Sequence, residues 1–99
     1  MKSKLSMAFT EDETVWLKVM AYVHFQQNRF NQARRLLDFL SDNFDFDFSV
    51  RIQLILTLTH LNMSQNATKL LRDTLNNSIT NDQKYIVERL LQQLEHLDT

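Results

Sequence analysis

The chain has 99 residues and not one glycine, proline or cysteine. Glycine lets a backbone enter positive φ without steric cost and approach a phosphate closely, so its absence excludes phosphate-binding loops, dinucleotide fingerprints and glycine-rich hairpins. Connections between helices need no glycine, because asparagine, aspartate and serine, all plentiful here, also serve as turn residues. The missing cysteine removes disulfides and thiolate chemistry and suits a reducing compartment. Charge of one sign is lacking too. Eleven basic residues against twelve acidic ones give a net charge of -1, which offers no global field to a nucleic acid or an anionic membrane. A partner must therefore be gripped by shape and apolar contact. No stretch nears the ~18 apolar residues of a membrane span, and the opening MKSKLSMAFT lacks the apolar run of a secretory signal. The expectation is a soluble, cytoplasmic protein.

What is present is apolar content of 43%, enough for one modest core, and an internal repeat. At an offset of 34, Asn28 falls on Asn62, Ala33 on Ala67, Leu36 on Leu70, Leu37 on Leu71 and Asn43 on Asn77. Arg35 also falls on Lys69 and Met20 on Leu54. The matches cluster in NRFNQARRLL and NMSQNATKLL, each a turn residue, then alanine, then a leucine pair.

Helix signals fit that spacing. Thr10 and Glu13 form a capping box before the apolar run Val15, Trp16, Val19, Met20, Val23, and the run EDE places negative charge at the helix's positive end. The first helix is predicted over 11–27. A turn over 28–31 leads to a second helix ending near 42, with Ala33, Leu36, Leu37 and Leu40 at helical spacing. A third is predicted over 48–61 and a fourth over 64–76. Thr80 and Gln83 form a second capping box, opening a fifth helix that presents Ile86, Val87, Leu90, Leu91, Leu94 and Leu97 as one stripe. The prediction is all-α: two helical hairpins and a closing helix, in one domain over 10–99 behind a flexible arm over 1–9.

The stretch NFDFDFS at 43–49 alternates like a half-buried strand, but a lone strand here would have no partner. It is not a calcium loop either, since Val50 and Leu56 stand where such a loop counted from Asp45 needs glycine and glutamate. It reads as the joint between hairpins, with Asp47 or Ser49 capping the third helix, Asp45 facing water and some of Phe44, Phe46 and Phe48 wedged between helices.

Catalytic and metal signatures are lacking. His24, His60 and His96 have neither a cysteine nor a close histidine beside them, so no zinc spacing arises; His24 reads as a packed histidine with one hydrogen bond satisfied. No nucleophile elbow or paired acid and base is found, so the chain is expected not to be an enzyme and to need no cofactor. Arg34, Arg35, Lys69 and Arg72 form a basic strip without interleaved aromatics, which reads as a solvated face and not as a nucleic-acid site. The sequons at Asn62, Asn66 and Asn76 are read as chance matches in an asparagine-rich chain.

The 34-residue period is the tetratricopeptide length, and residues 14–97 resemble that family. Leu17, Ala21, Asn28, Phe30, Ala33, Leu37 and Leu40 match its pattern in the first repeat. The second departs from it, with Ile55 at the small position and Ser64 at the aromatic one, and Asn28 and Asn62 replace the usual turn glycine. The resemblance implies a curved stack whose concave face is lined by the first helix of each pair. In register, Lys18, Ile52 and Ile86 form one row, Tyr22, Leu56 and Leu90 another, and Phe25, Thr59 and Gln93 a third, with Val15 at a rim. Such an apolar groove suits an amphipathic helix. In the competing arrangement the last helix folds across the groove and fills it. Tyr85, Glu88, Arg89 and Gln92, on the last helix's other face, have the polarity of a terminal cap.

Size, repeat count and groove chemistry together resemble the chaperones of type III secretion needle subunits. That resemblance implies a bacterial cytoplasmic protein that cups the apolar helix of a needle subunit in its groove, with a small helical co-chaperone alongside, and prevents premature polymerisation. It assigns contact to Tyr22, Phe25, Ile52, Leu56, Ile86 and Leu90. The alternatives are an adaptor that uses the basic strip or the outer face of the last helix, and a self-associating regulator.

Overall fold

The computed structural model describes residues 10–97; the arm expected over 1–9 lies outside them, as does the side chain of Leu97. Five helices follow one another: α1 (Glu11–Gln26), α2 (Phe30–Asn43), α3 (Phe48–His60), α4 (Ser64–Leu75) and α5 (Asn81–Leu97). Among the described residues there is no strand. The bounds agree with the predicted ones to within about two residues, the usual latitude of helix ends.

Local chemistry sets these limits. The Glu13 N–H donates to Thr10 Oγ1 at 3.1 Å while the Thr10 N–H donates back to Glu13 Oε1 at 3.4 Å. Thr80 and Gln83 repeat the device at 3.0 and 3.1 Å. Both α1 and α3 end on an asparagine with φ 60°, Asn28 and Asn62. The next N–H then turns back into the helix, Arg29 onto the His24 carbonyl at 2.8 Å and Met63 onto the Leu58 carbonyl at 2.9 Å. This is a Schellman closure built twice, so the sequence repeat is also a backbone repeat.

Each helix packs against the next in the chain, and α1 also touches α3. The molecule measures 44 × 31 × 20 Å, and its least dimension is two helix diameters of ~10 Å, as two layers of stacked hairpins require. The core runs along the stack through Ala21, Ala33, Leu37, Ile55, Ala67, Leu71 and Val87, all essentially without solvent exposure. Thr57 and Thr74 are buried among these and donate to the Gln53 and Leu70 carbonyls at 2.7 and 2.8 Å, so neither hydroxyl is left unpaired.

In NFDFDFS the three phenylalanines part ways. Phe44 and Phe48 pack against the core, and Phe44 meets Phe39 edge-on at 6.0 Å. Phe46 points outward beneath the Arg51 guanidinium, 5.3 Å from its ring centre. Asp47 caps α3 by accepting from the Ser49 and Val50 N–H groups at 3.0 and 3.3 Å.

On helix α1, Leu17, Ala21 and Phe25 face the core, whereas the apolar run Val15, Trp16, Val19, Met20 and Val23 is exposed along its whole length. Apolar residues lie on all sides of α1, so periodicity alone does not identify its inner face.

Candidate functional site

The first helices of the hairpins carry the residues expected in the groove. Short connections alternate the helix directions, so α1, α3 and α5 run the same way, and α1 touches α3. The seam between α1 and α3 is closed at two points. At one, the Lys18 ammonium pairs with the Asp47 carboxylate. At the other, Phe25 meets His60 edge-on at 5.4 Å, and His60 stacks on Phe30 at 4.5 Å.

Most of the other expected groove positions are apolar. Tyr22 is 55% exposed, and Leu56 and Ile86 are also open to solvent; α5 therefore does not fold across them. Ile52, Leu90 and Phe25 are half-buried and packed against the core, which gives the strip a fixed floor. Thr59 is half-buried, with its hydroxyl donating to the Ile55 carbonyl at 2.9 Å, so it shows a methyl more than a polar group. Val15 is exposed on the same side of α1 as Tyr22. Gln93 is exposed on α5.

Lys18 is the one cation among these positions, and its charge is engaged. Burial pulls the Asp47 carboxyl up, but hydrogen bonds from Lys18, Ser49 and the Val50 N–H outweigh it and hold its pKa below the usual carboxylate value. A partner's carboxylate would have to compete with that pair for Lys18. The strip is thus suited to apolar side chains.

The opposite side of the stack is of mixed charge. Arg34 pairs with Asp38 at 3.4 Å, Arg51 with Asp73 at 2.7 Å and Arg72 with Glu95 at 3.1 Å. Two residues of the basic strip therefore already have carboxylate partners, while Arg35 and Lys69 are exposed. Burial raises the Asp38 pKa against the opposing pull of Arg34. Among the described residues no group of three or more histidines, cysteines and carboxylates could hold a metal ion. His24 is half-buried, with its Nδ1 unpaired.

Sequence reasoning overlooked the second exposed apolar face. Trp16, at 66% exposure, and Val19, Met20 and Val23 open away from the hairpin. The signal for it was the tetratricopeptide register itself, which puts Leu17 and Ala21 inward and leaves that stripe outward. No helix among the described residues is long and apolar enough to cross a membrane.

Comparison of the chain with protein-family models, with curated proteins and with solved structures returns no match.

Proposed function

We propose that this protein is a helix-holding chaperone, which shields an amphipathic helix of a partner against the apolar strip of α1, α3 and α5. The observation that carries the reading is the exposure of Tyr22, Leu56 and Ile86, one apolar residue on the first helix of each hairpin and one on the closing helix. Together they make a track for the i, i+3, i+4, i+7 face of a bound helix. A subunit that polymerises through such a helix exposes it while monomeric, and burying it removes the assembly surface. In its most specific form the partner is the needle subunit of a bacterial type III secretion system, held in the cytoplasm, with a small helical co-chaperone alongside. That form rests on the resemblance in size, repeat count and groove chemistry.

Leu56→Asp tests it. The substitution puts a charge in the middle of the strip at an already exposed position, so the helical circular dichroism is expected to persist while co-purification with the partner is lost. Undiminished binding by folded Leu56→Asp would sink the groove assignment. If charge reversal at Arg34 and Arg35 abolishes binding instead, the protein is an adaptor working from its opposite face.

A further inference from the structure

The two ends of the stack are unlike. At the α5 end the outward residues are Tyr85, Glu88, Arg89 and Gln92, all exposed, and a mostly polar outer face is what closes a helical stack to further growth. At the α1 end the outward residues are Val15, Trp16, Val19, Met20 and Val23, all exposed. Lys18 is the only charged residue between Thr14 and Phe25, and it is turned away toward Asp47. A helix apolar on all sides belongs in an interior, yet among the described residues only α2 and α3 pack on α1.

We propose that a second copy of this chain covers that face, with the two α1 helices antiparallel about a two-fold axis near Val19, so that each copy caps the other's open stack. Three features select this occupant. The face carries no charge to be matched by a different surface, and Trp16, Val19, Met20 and Val23 lie symmetrically about the midpoint of Val19 and Met20, so Trp16 of one copy falls opposite Val23 of the other. The α5 end, with Glu88, Arg89 and Gln92 around Tyr85, matches the apolar α1 end poorly, so association joins like to like and stops at two, as an isologous contact does. The acidic residues Glu11, Asp12 and Glu13 are all exposed. A parallel pairing would bring six carboxylates together, whereas the antiparallel one sets them beside the partner copy's turn at 27–29, where Arg29 is exposed, and opposes the two helix dipoles. The exposed apolar area is on the order of 450 Å², within the range of the largest patch on one monomer. Each side of a standard interface contributes ~800 Å², so this face would form its apolar centre, with polar residues around it as the rim.

The full chain in sizing chromatography with light scattering, over a concentration series, is expected to show twice the single-chain mass of 11.8 kDa, falling to one chain on dilution. Val19→Lys sets two ammonium groups against each other beside the axis and is expected to give the single-chain mass throughout, with helical circular dichroism unchanged. Because the chain has no cysteine, Val19→Cys offers an independent readout: oxidation should cross-link it to a dimer, and Tyr85→Cys at the other end should not cross-link. A single-chain mass for the unmodified protein at every concentration overturns the proposal, whether another protein or residues 1–9 of the same chain cover the face. So does folded Val19→Lys that stays dimeric, equal cross-linking of Tyr85→Cys, or a dimer lost in Leu56→Asp. The last outcome would move self-association to the groove, whereas loss of partner binding alone in Leu56→Asp leaves the dimer standing.

Discussion

Asn28 and Asn62 hold the backbone at φ 60°, where a Cβ costs roughly 1–2 kcal/mol for most residues and less for asparagine. Each lets a helix end and the next begin within three residues, so the hairpins depend on them. Asn28→Ala is expected to cost about 1 kcal/mol, and Asn28→Gly to be neutral or to stabilise by a few tenths, since glycine removes the strain but loosens the unfolded chain. Urea denaturation of both variants checks this; equal midpoints would mean that the left-handed turn carries no strain. At Asp47 one carboxylate serves two elements, capping α3 and pairing with Lys18 of α1. Asp47→Ala removes both roles, and cap loss alone typically costs ~1 kcal/mol; Asp47→Asn keeps a capping oxygen and loses only the charge. The folded pKa of Asp47 is depressed, so its contribution is present above the unfolded carboxylate value of ~3.9 and disappears as pH falls through the lower folded value. The melting-temperature gap between the native protein and Asp47→Asn should therefore be widest near neutrality and close in acid. A gap independent of pH would assign the loss to packing.

At the scale of the element, the joint between hairpins assigns separate tasks to residues that look alike in sequence. Phe44 and Phe48 lie against the core, while Phe46 is exposed beneath Arg51. Phe44→Ala is expected to destabilise by about 2 kcal/mol, below the 3–5 of a fully buried ring, and Phe46→Ala by less than about 1, the scale of an exposed cation–π contact. Thermal unfolding followed by circular dichroism distinguishes them, and the reverse order would mean that Phe46 is the wedge. Helix limits, capping boxes and left-handed turns are legible in the sequence because each is decided by chemistry within about four residues. The facing of α1 is not legible from periodicity, because Val15, Trp16, Val19, Met20 and Val23 are as periodic as Leu17, Ala21 and Phe25. The repeat register, which puts Leu17 and Ala21 inward, decides between the two faces, and packing against α2 and α3 realises it. The groove positions follow from the 34-residue offset, but not the state of Lys18, whose partner Asp47 comes from a connector that the offset does not describe.

The whole molecule behaves as a short one-dimensional array, since each helix depends mainly on its chain neighbours. Stability should then grade along the stack. Helix α3 is packed by α2 and α4 and touches α1, while α5 is anchored by α4 through residues such as Val87 and Leu94. An end helix can leave without exposing the rest of the core, so α5 amides should exchange through a partial opening of lower free energy than the global one. Val87 is fully buried, and Val87→Ala removes two methyl groups at that anchor. Its expected effect is faster hydrogen exchange in α5, with the protection of α2 and α3 nearly unchanged. If protection drops equally in all five helices, the stack unfolds as a single unit. In that case a partner helix lying across α1, α3 and α5 would stabilise every element alike, and not chiefly the last one.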